Sequence, residues 1–539
     1  MAILYNTEES LRERAAKCIE DDFKHQAIET AQETFYQKRQ ALVDEEPDWQ
    51  GLRTTAARIR DHVAKNLDYY VKQFAQNASD HGVHVHFATT GNQALWEALD
   101  IFENHGAFKA VKSKSMMTEE IGLNHVLEEA GVQVIETDCA ENILQTAGDM
   151  PSHIVVPALH HTRDDIAELY RKKCGYDGDN VPENITHFLR KMLRPEFLDA
   201  QVGIRGCNMA VAETGSVTLV TNEGNGRMVD TFPPVQIVFV GIDRIVPTLE
   251  SLDIFMALLP KSAVGSKMTA YFSVDTGARR DGELDGPAEV HYIIMDNGRH
   301  DLLDTEFEPM MRCVRCGACL NICPVYRHIS GHGYGSIYPG PMGIVLTPQL
   351  VGYGDANAKA MTFACTLCGA CSEHCPVRIP IHDLVRDHRI EIVDEGKNNK
   401  VEVPIFKAMQ AMWSSSPLYM ALMRLGHPVM NILTRGGSSL DERSAWIPVL
   451  GSWTSSRDFD VIAPYRFRTW LAEHNAARAE ERAQAREDKD QKGVRHSRAF
   501  WLPSQGNWGM RMSRSTSSPS TTRRTRLRVV PTGFRTRAS

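Results

Sequence analysis

Hydrophobic positions in the first 80 residues repeat with a helical period. In the segment ARIRDHVAKNLDYYVKQF, apolar residues recur every three or four positions, at Ile59, Val63, Leu67, Val71 and Phe74. This spacing places them on one face and is typical of a helix packed against a core. The pattern therefore predicts a helical region over residues 1–80.

From about residue 82 the pattern changes, because short β-type runs alternate with helical ones. The predicted strands are VHVHFA, FKAVKS, VQVIETD, HIVVPAL, SVTLVTNEG, VQIVFVGIDRIV and HYIIMDNG. NQALWEALDIF is a predicted helix, and TEEIGLNHVLEEAG is another, with Thr118 as its cap and Gly131 at its end. Such alternation predicts an α/β domain with a largely parallel sheet over residues 81–300.

The patterns beyond residue 385 are helical and then highly charged. Residues 386–472 are predicted to be helical with breaks. Within them, IFKAMQAMW and SSSPLYMALMRLGHPVMNIL are methionine-rich and apolar, interrupted by Pro417, Arg424 and Pro428. Core packing, partner docking and peripheral contact with a membrane surface are all open for this region. NAARAEERAQAREDKDQK predicts a solvated helix. Residues 501–539 contain eight arginines and no lysine, aspartate or glutamate, which predicts disorder and also fits an altered reading frame.

Composition narrows the class of protein. The chain has 539 residues and a formal net charge of -8, which gives no reason to expect nucleic-acid binding. Its first residues, MAILYNTEESLRERAAKC, lack the apolar core of a secretory signal, and no apolar run reaches about 18 residues. We therefore expect a cytoplasmic protein, with contact at the inner face of the membrane as an alternative.

Eight of the twelve cysteines fall in two short runs with identical spacing. In each run two residues separate the first three cysteines, three residues precede the fourth, and proline follows. The first run is Cys313, Cys316, Cys319 and Cys323, and the second is Cys365, Cys368, Cys371 and Cys375. This is the bacterial ferredoxin-type pattern for [4Fe–4S] clusters, whereas zinc sites and disulfides have other spacings. The four single cysteines, Cys18, Cys139, Cys174 and Cys207, are expected to be inert.

In two-cluster ferredoxins the fourth cysteine of each run binds the cluster held by the other run. Cluster 1 is therefore predicted to take Cys313, Cys316, Cys319 and Cys375. Cluster 2 is predicted to take Cys365, Cys368, Cys371 and Cys323. The dicluster domain then spans residues 305–385, and the segment between the runs either shields a cluster or forms a partner surface.

Three upstream motifs and the order of the segments resemble one known family. The motifs are AVKSKSMMTEEIGLNHVLEEAGVQVIETD, HIVVPALHHTRDDIAELY and GIRGCNMAVAETGSVTLVTNEGNGRM, and GSWTSSRDF and YRFRTWL follow the dicluster segment. Over residues 10–472 the chain resembles the lactate utilization protein B family, the iron–sulfur subunits of bacterial L-lactate oxidation systems. The resemblance implies a sugar-isomerase/CoA-transferase-like α/β domain followed by a mainly helical dicluster domain. It also implies two partner subunits, oxidation of L-lactate to pyruvate, and a role in electron transfer.

A second candidate site is a small anionic ligand pocket at strand ends of the α/β domain. Lys112, Lys114 and Ser115 lie between a predicted strand and helix, which suits a phosphate or carboxylate. Glu213 precedes a strand, and the related transferase fold uses a glutamate as nucleophile. His160 and His161 follow the predicted strand HIVVPAL. Structural roles are the alternative for each residue, and no catalytic residue is assigned.

Two other functions remain open from the sequence. The chain could be the iron–sulfur subunit of another respiratory 2-hydroxyacid or polyol dehydrogenase that passes electrons to quinone. It could instead be a transferase-like enzyme whose clusters are structural or redox-sensing. The glycines of TNEGNGR are too few for a dinucleotide-binding fingerprint, and a glycine turn after a strand is the commoner explanation for them.

Overall fold

A computed structural model of the protein describes residues 3–398, 400, 402–434, 436–440, 454, 458–461 and 467–498. The chain divides into two units, residues 1–400 and 401–539. Four helices open the first unit: α1 (Leu11–Glu20), α2 (Asp22–Glu45), α3 (Trp49–Lys65) and α4 (Leu67–Asp80). The predicted apolar stripe runs over α3 and α4, which are separate because the helix breaks at Asn66.

A six-stranded sheet forms the centre of the α/β region. Its strands are β1 (Val83–Ala88), β2 (Lys109–Lys112), β3 (Gln133–Glu136), β4 (Val202–Gly206), β7 (Val235–Gly241) and β10 (Glu289–Met295). All neighbours pair in parallel, in the order β1-β10-β7-β4-β2-β3. Every residue of β7 is buried, as expected for a central strand covered on both faces. The predicted parallel α/β sheet is confirmed.

Helices connect these strands and cover both faces of the sheet, as parallel pairing requires. They are α5 (Gly91–Asn104), α6 (Met116–Ile121), α7 (Leu123–Glu129), α8 (Cys139–Ala147), α9 (Arg163–Cys174), α10 (Pro182–Asp199), α11 (Asn225–Thr231) and α12 (Leu249–Val264). A second, four-stranded sheet has the order β8-β5-β6-β9. Its strands are β5 (Ala210–Val211), β6 (Ser216–Thr221), β8 (Ile245–Val246) and β9 (Tyr271–Asp275).

Two local predictions in the α/β region are wrong. HIVVPAL is a series of bends and turns, because the His153 ring accepts hydrogen bonds from the amides of Val155 and Val156 and holds the backbone in a turn. The helix after β2 begins at Met116 with Ser115 as its cap, so Thr118 lies inside it. Gly122, with φ 68°, then divides the predicted helix into α6 and α7.

The cysteine segment is mainly helical, as predicted for the dicluster part. Its helices are α13 (Ala318–Asn321), α14 (Pro324–Tyr334), α15 (Gly340–Val351), α16 (Ala356–Met361), α17 (Ala370–His374) and α18 (Ile381–Asp394). Short 3-10 helices span Ile242–Arg244, His300–Leu302 and Glu308–Arg312. α1 and α2 pack against α14, so the first helices of the chain join the cysteine segment.

The second unit contains α19 (Glu402–Ser414), α20 (Ser416–Leu433), a small antiparallel pair of β11 (Ser439–Leu440) with β12 (Phe459–Asp460), and α21 (Phe467–Arg498). Several large apolar side chains of α19 and α20 are exposed, including Phe406, Trp413 and Ile432. None of the helices that the structure describes is long and apolar enough to cross a membrane. The arginine-rich segment 501–539 lies outside the described residues.

Candidate metal centre

The two cysteine runs follow the same backbone path. Arg315 and Leu367, each directly before the second cysteine of its run, have φ values of 55° and 56°. Gly317 and Gly369, directly after that cysteine, have φ values of 75° and 81° and begin α13 and α17. Left-handed backbone at a non-glycine residue is uncommon. Its recurrence at equivalent positions shows that both runs form the same tight loop.

Main-chain amides point at the sulfur atoms in both halves. The amide of Tyr326 donates to Cys323 Sγ at 3.5 Å, and that of Ile379 donates to Cys375 Sγ at 3.4 Å. The amide of Leu367 donates to Cys365 Sγ at 3.3 Å. Hydrogen bonds to cysteine sulfur favour the thiolate and are one of the means by which a protein tunes cluster potential.

Electrostatic interactions link the last thiol of each run to thiols of the other run. Burial, and then the neighbouring thiols of Cys375 and Cys313, raise the pKa of Cys316 to about 12. Burial also raises the pKa of Cys371 to about 12, with contributions from Cys323, Cys365 and Cys368. Cys375 therefore lies near Cys313 and Cys316 of the first run, and Cys323 lies near Cys365, Cys368 and Cys371 of the second run. We call Cys313, Cys316, Cys319 and Cys375 the first group and the other four thiols the second group.

The two groups are neighbours, and they differ in exposure. Burial, then the nearby thiols of Cys316, Cys313 and Cys371, raise the pKa of Cys319, so one thiol of the second group acts on the first. α13 and α17 pack against each other. All four thiols of the first group are buried, whereas in the second group Cys365 is half-buried and Cys368 is exposed.

The donor set fits two [4Fe–4S] clusters. Each group supplies four cysteine sulfurs, which is the complete ligand set of such a cluster. The raised thiol pKa values do not oppose binding, because coordination to a metal removes the proton outright. The buried His153, near the first loop, has another partner: its Nε2 lies 3.1 Å from Asn321 Oδ1, and burial lowers the pKa of His153 to about 3.

The helices of residues 1–80 hold the cysteine loops through buried polar side chains. Arg53 Nε donates to the carbonyl oxygen of Cys375 at 2.8 Å, and Arg39 Nη2 donates to that of His374 at 2.9 Å. Gln32 Nε2 donates to the carbonyl oxygen of Leu320 at 2.6 Å. Sequence reasoning missed these residues. The available signal was a set of arginines on the apolar faces of otherwise amphipathic helices.

The segment between the runs lies over the clusters' loops. Nearly every residue of α15 is buried, and the amide of Met342 donates to the sulfur of Cys319. The ring of Tyr326 and that of Tyr334 are fully buried beside it. Of the two roles open for this segment, the structure favours shielding.

The six residues predicted for an anionic ligand pocket do not lie together. Lys112 is fully buried and forms ion pairs with Glu119 at 2.8 Å and Glu136 at 2.6 Å, so its charge is already neutralised. Glu213 is exposed, and its carboxylate accepts a hydrogen bond from the Leu249 amide at 3.2 Å.

His160 and His161 share one carboxylate. Their Nε2 atoms lie 2.9 Å and 3.2 Å from Asp149 Oδ2. Burial alone would raise the pKa of Asp149, but the hydrogen bonds from both histidines hold it well below its usual range. The two rings are therefore engaged with an anion of the protein itself.

Lys114 and Ser115 line a cavity that also reaches the first cysteine run. Lys114 is half-buried, and its Nζ lies 3.9 Å from Glu141. Ser115 is buried, and its Oγ accepts a hydrogen bond from the Thr118 amide. Of the six predicted residues, these two alone line that cavity.

Comparison with known proteins places the chain in a family. The LUD domain matches residues 71–295, and the 4Fe-4S dicluster domain matches residues 309–379. Lactate utilization protein B of Bacillus cereus (strain B4264) is 44% identical over 469 residues, covering 87% of this chain and 98% of that protein. The chain belongs to the lactate utilization protein B family. The proteins of the same name in Bacillus thuringiensis (strain Al Hakam) and Bacillus anthracis (strain CDC 684 / NRRL 3495) show the same identity and coverage.

A solved structure of a DUF162 family protein from Deinococcus radiodurans matches 42% of this chain over 98% of the Deinococcus chain. The two sequences are 15% identical, and the TM-score is 0.25. The 87% of the chain covered by the Bacillus cereus protein includes both cysteine runs within the matched dicluster domain. Membership in the lactate utilization protein B family agrees with the resemblance found from the sequence motifs.

Proposed function

We propose that the chain is the electron-transfer subunit of a complex that oxidises L-lactate to pyruvate. The observation that carries the proposal is the pair of adjacent four-thiol groups in a member of the lactate utilization protein B family. Oxidation of a 2-hydroxy acid to a 2-oxo acid releases two electrons and two protons. Two [4Fe–4S] clusters each accept one electron, so one chain takes up both electrons of one turnover.

Within the dicluster part, residues 305–385, we assign cluster 1 to Cys313, Cys316, Cys319 and Cys375 and cluster 2 to Cys365, Cys368, Cys371 and Cys323. The thiol interactions support this exchange of the fourth ligands. Cluster 1, whose four thiols are buried, is the inner end of the proposed electron-transfer path. Cluster 2 includes the exposed Cys368 and is the end at which a partner protein exchanges electrons.

The remaining parts of the chain have supporting roles in this proposal. Residues 1–80 hold the cluster loops, and residues 81–300 form the LUD-type α/β domain, which docks or binds the electron source. Residues 386–472 and the charged segment from residue 473 are available for the other subunits of the complex. The proposed setting is cytoplasmic, with quinone or a carrier protein as the final acceptor.

The test is low-temperature EPR of the chain co-purified anaerobically with its partner subunits. Addition of L-lactate is expected to produce the signals of reduced [4Fe–4S] clusters, and D-lactate is not. A complex carrying the double substitution Cys323→Ser and Cys375→Ser is the control, because it identifies signals from other subunits. Clusters that dithionite reduces but L-lactate leaves oxidised would contradict the proposal. Signals produced instead by glycerol or another 2-hydroxy acid would assign the chain to a different dehydrogenase.

A further inference from the structure

A cavity of about 420 Å³ lies between the parallel sheet and the first cysteine run. Residues that directly follow β2 and β4, among them Ser113 and Cys207, form its inner end. Arg315 and Cys316 line it from the cluster side. Ligands of open α/β sheets bind at the carboxyl ends of strands, and sites for cofactors have volumes of about 300–1,000 Å³. The cavity has both the place and the size of a cofactor site, and it adjoins a ligand of cluster 1.

Two polar groups on the cavity wall have no partner among the residues that the structure describes. Ser113 is 2% exposed, and its Oγ makes no hydrogen bond. Arg315 Nη1 is also buried without a partner, although Nη2 lies 3.4 Å from Asp243 and the guanidinium lies over the Tyr338 ring at 4.4 Å. Buried polar groups in folded proteins nearly always have a hydrogen-bond partner, so both groups are placed to bind a molecule in the cavity.

The charge of the cavity favours an anion. Lys114, Arg244 and Arg315 line it, together with the carboxyl groups of Asp138 and Glu223. Burial, and then Asp138, raise the pKa of Glu223 to about 7, so this group is only partly ionised at neutral pH. Arg244 and Arg315 share the carboxylate of Asp243, at 2.7 Å and 3.4 Å, so the two arginines and Lys114 together keep an excess of positive charge over Asp138 and the partly ionised Glu223. The rest of the wall is apolar, including Met117, Leu219, Leu259 and Val264.

We propose that this cavity binds a flavin nucleotide that exchanges electrons with cluster 1 beside Cys316. The apolar wall suits a planar ring system, and the arginines suit the anionic form that a reduced flavin adopts. A flavin fits the chemistry because it accepts two electrons together and gives them up singly, whereas a nicotinamide transfers a hydride. A three-carbon acid alone would leave most of the volume empty.

The electrons of one flavin match the capacity of the two clusters. This inference rests on the proposed electron-transfer function. The anionic reduced flavin loses two electrons and one proton when it becomes oxidised flavin. One electron passes through cluster 1 to cluster 2, the second stays on cluster 1, and each cluster is reduced by one electron. The proton leaves to solvent, with Glu223 placed on the cavity wall as a first acceptor.

The test is anaerobic titration of FMN into the purified full-length chain with both clusters in place. Flavin fluorescence, recorded during the titration, reports FMN binding. We expect saturable binding of one FMN per chain. Ser113→Ala removes a hydroxyl that makes no hydrogen bond within the protein, so it leaves iron content and thermal stability unchanged while weakening FMN binding by roughly 3–10-fold. Ser262→Ala is the matched control, because Ser262 is equally buried and unpartnered but lies outside the cavity.

The stopped-flow rate of cluster reduction by photoreduced FMN is expected to fall in Ser113→Ala and not in Ser262→Ala. Absence of saturable FMN binding, or equal effects of the two substitutions, would overturn the proposal. Saturable binding of L-lactate that Ser113→Ala weakens, without FMN binding, would overturn it too and would make the cavity a substrate site. Neither FMN readout requires lactate or partner subunits, so failure here is distinct from failure of the proposed lactate complex.

Discussion

Arg53 and Cys375 are 322 residues apart in the chain and are joined by a hydrogen bond of 2.8 Å from Arg53 Nε to the carbonyl oxygen of Cys375. The same guanidinium donates from Nη2 to the carbonyl oxygen of Ser372. Arg53 belongs to α3, outside the matched dicluster domain. The position of Cys375, which we assign to cluster 1, therefore depends on a helix that contains none of the eight clustered cysteines.

Arg53→Met is expected to destabilise cluster 1. The substitution keeps the apolar stem but removes the guanidinium donors to the carbonyl groups of Cys375 and Ser372, which costs about 1–3 kcal/mol. Iron release to a chelator under mild denaturant should be faster than in the wild-type chain and should pass through a form with about half the iron. Arg58→Met, at an exposed position of the same helix, is the control and should match the wild type. Equal release rates for all three proteins would show that the contact is dispensable.

Gly343 in α15 has no room for a side chain. A Cβ atom there would lie 1.6 Å from the carbonyl oxygen of Tyr338. Gly343→Ala should therefore shift the backbone that covers the clusters and lower the free energy of unfolding by about 1–3 kcal/mol or more. Gly354→Ala is the matched control, because a Cβ at Gly354 meets nothing within 4 Å. Circular dichroism during urea unfolding compares the two, and similar midpoints would contradict the packing described for α15.

The burial of His388 is expected to cause part of the pH dependence of the free energy of unfolding. It is fully buried in α18, its Nε2 lies 2.8 Å from the Val345 carbonyl oxygen, and burial lowers its pKa to about 4. In the unfolded chain a histidine titrates near pH 6.5. As the pH falls below about 6.5, the unfolded state binds the proton first, so stability falls until the pH reaches the folded pKa. Over this window the loss reaches about 3 kcal/mol.

His388→Gln removes this titration and can still donate to Val345. Its free energy of unfolding should therefore fall less steeply than that of the wild type between pH 6.5 and 4.5. His125→Gln, at an exposed histidine, should retain the wild-type slope. Parallel slopes for the wild type and His388→Gln would mean that this ring does not carry the effect.

The sequence was most informative where one local pattern determines the structure. The period-two and period-3.6 patterns correctly predicted the parallel α/β sheet and the helices around it. The cysteine spacing correctly predicted a site for two [4Fe–4S] clusters, because the ligands of such clusters recur at fixed short intervals. The exchange of Cys323 and Cys375 between the clusters stays a prediction. Local patterns were less informative where tertiary contacts determine the backbone conformation. In HIVVPAL the apolar side chains pack against Gly317 of the cluster loop, and the segment forms no strand of the sheet.

The predicted anionic ligand pocket also shows that local sequence patterns do not determine which residues meet in the fold. Lys112, Lys114 and Ser115 are near neighbours in sequence, yet Lys112 is buried between two glutamates while Lys114 and Ser115 line the cavity. The remaining cavity groups, Ser113, Arg244 and Arg315, come from three separate segments and share no motif. Only the fold brings them together, so no spacing in the chain could have identified them.

The central claim is that each of the two clusters is built from both cysteine runs. Iron analysis of two double variants tests it directly. If the fourth ligands are exchanged, Cys313→Ser with Cys375→Ser removes cluster 1 alone and leaves about four irons per chain. Cys313→Ser with Cys323→Ser removes one ligand from each cluster and leaves about none. The opposite result, with about four irons in the second variant and none in the first, would show that each run holds its own cluster and would contradict the account.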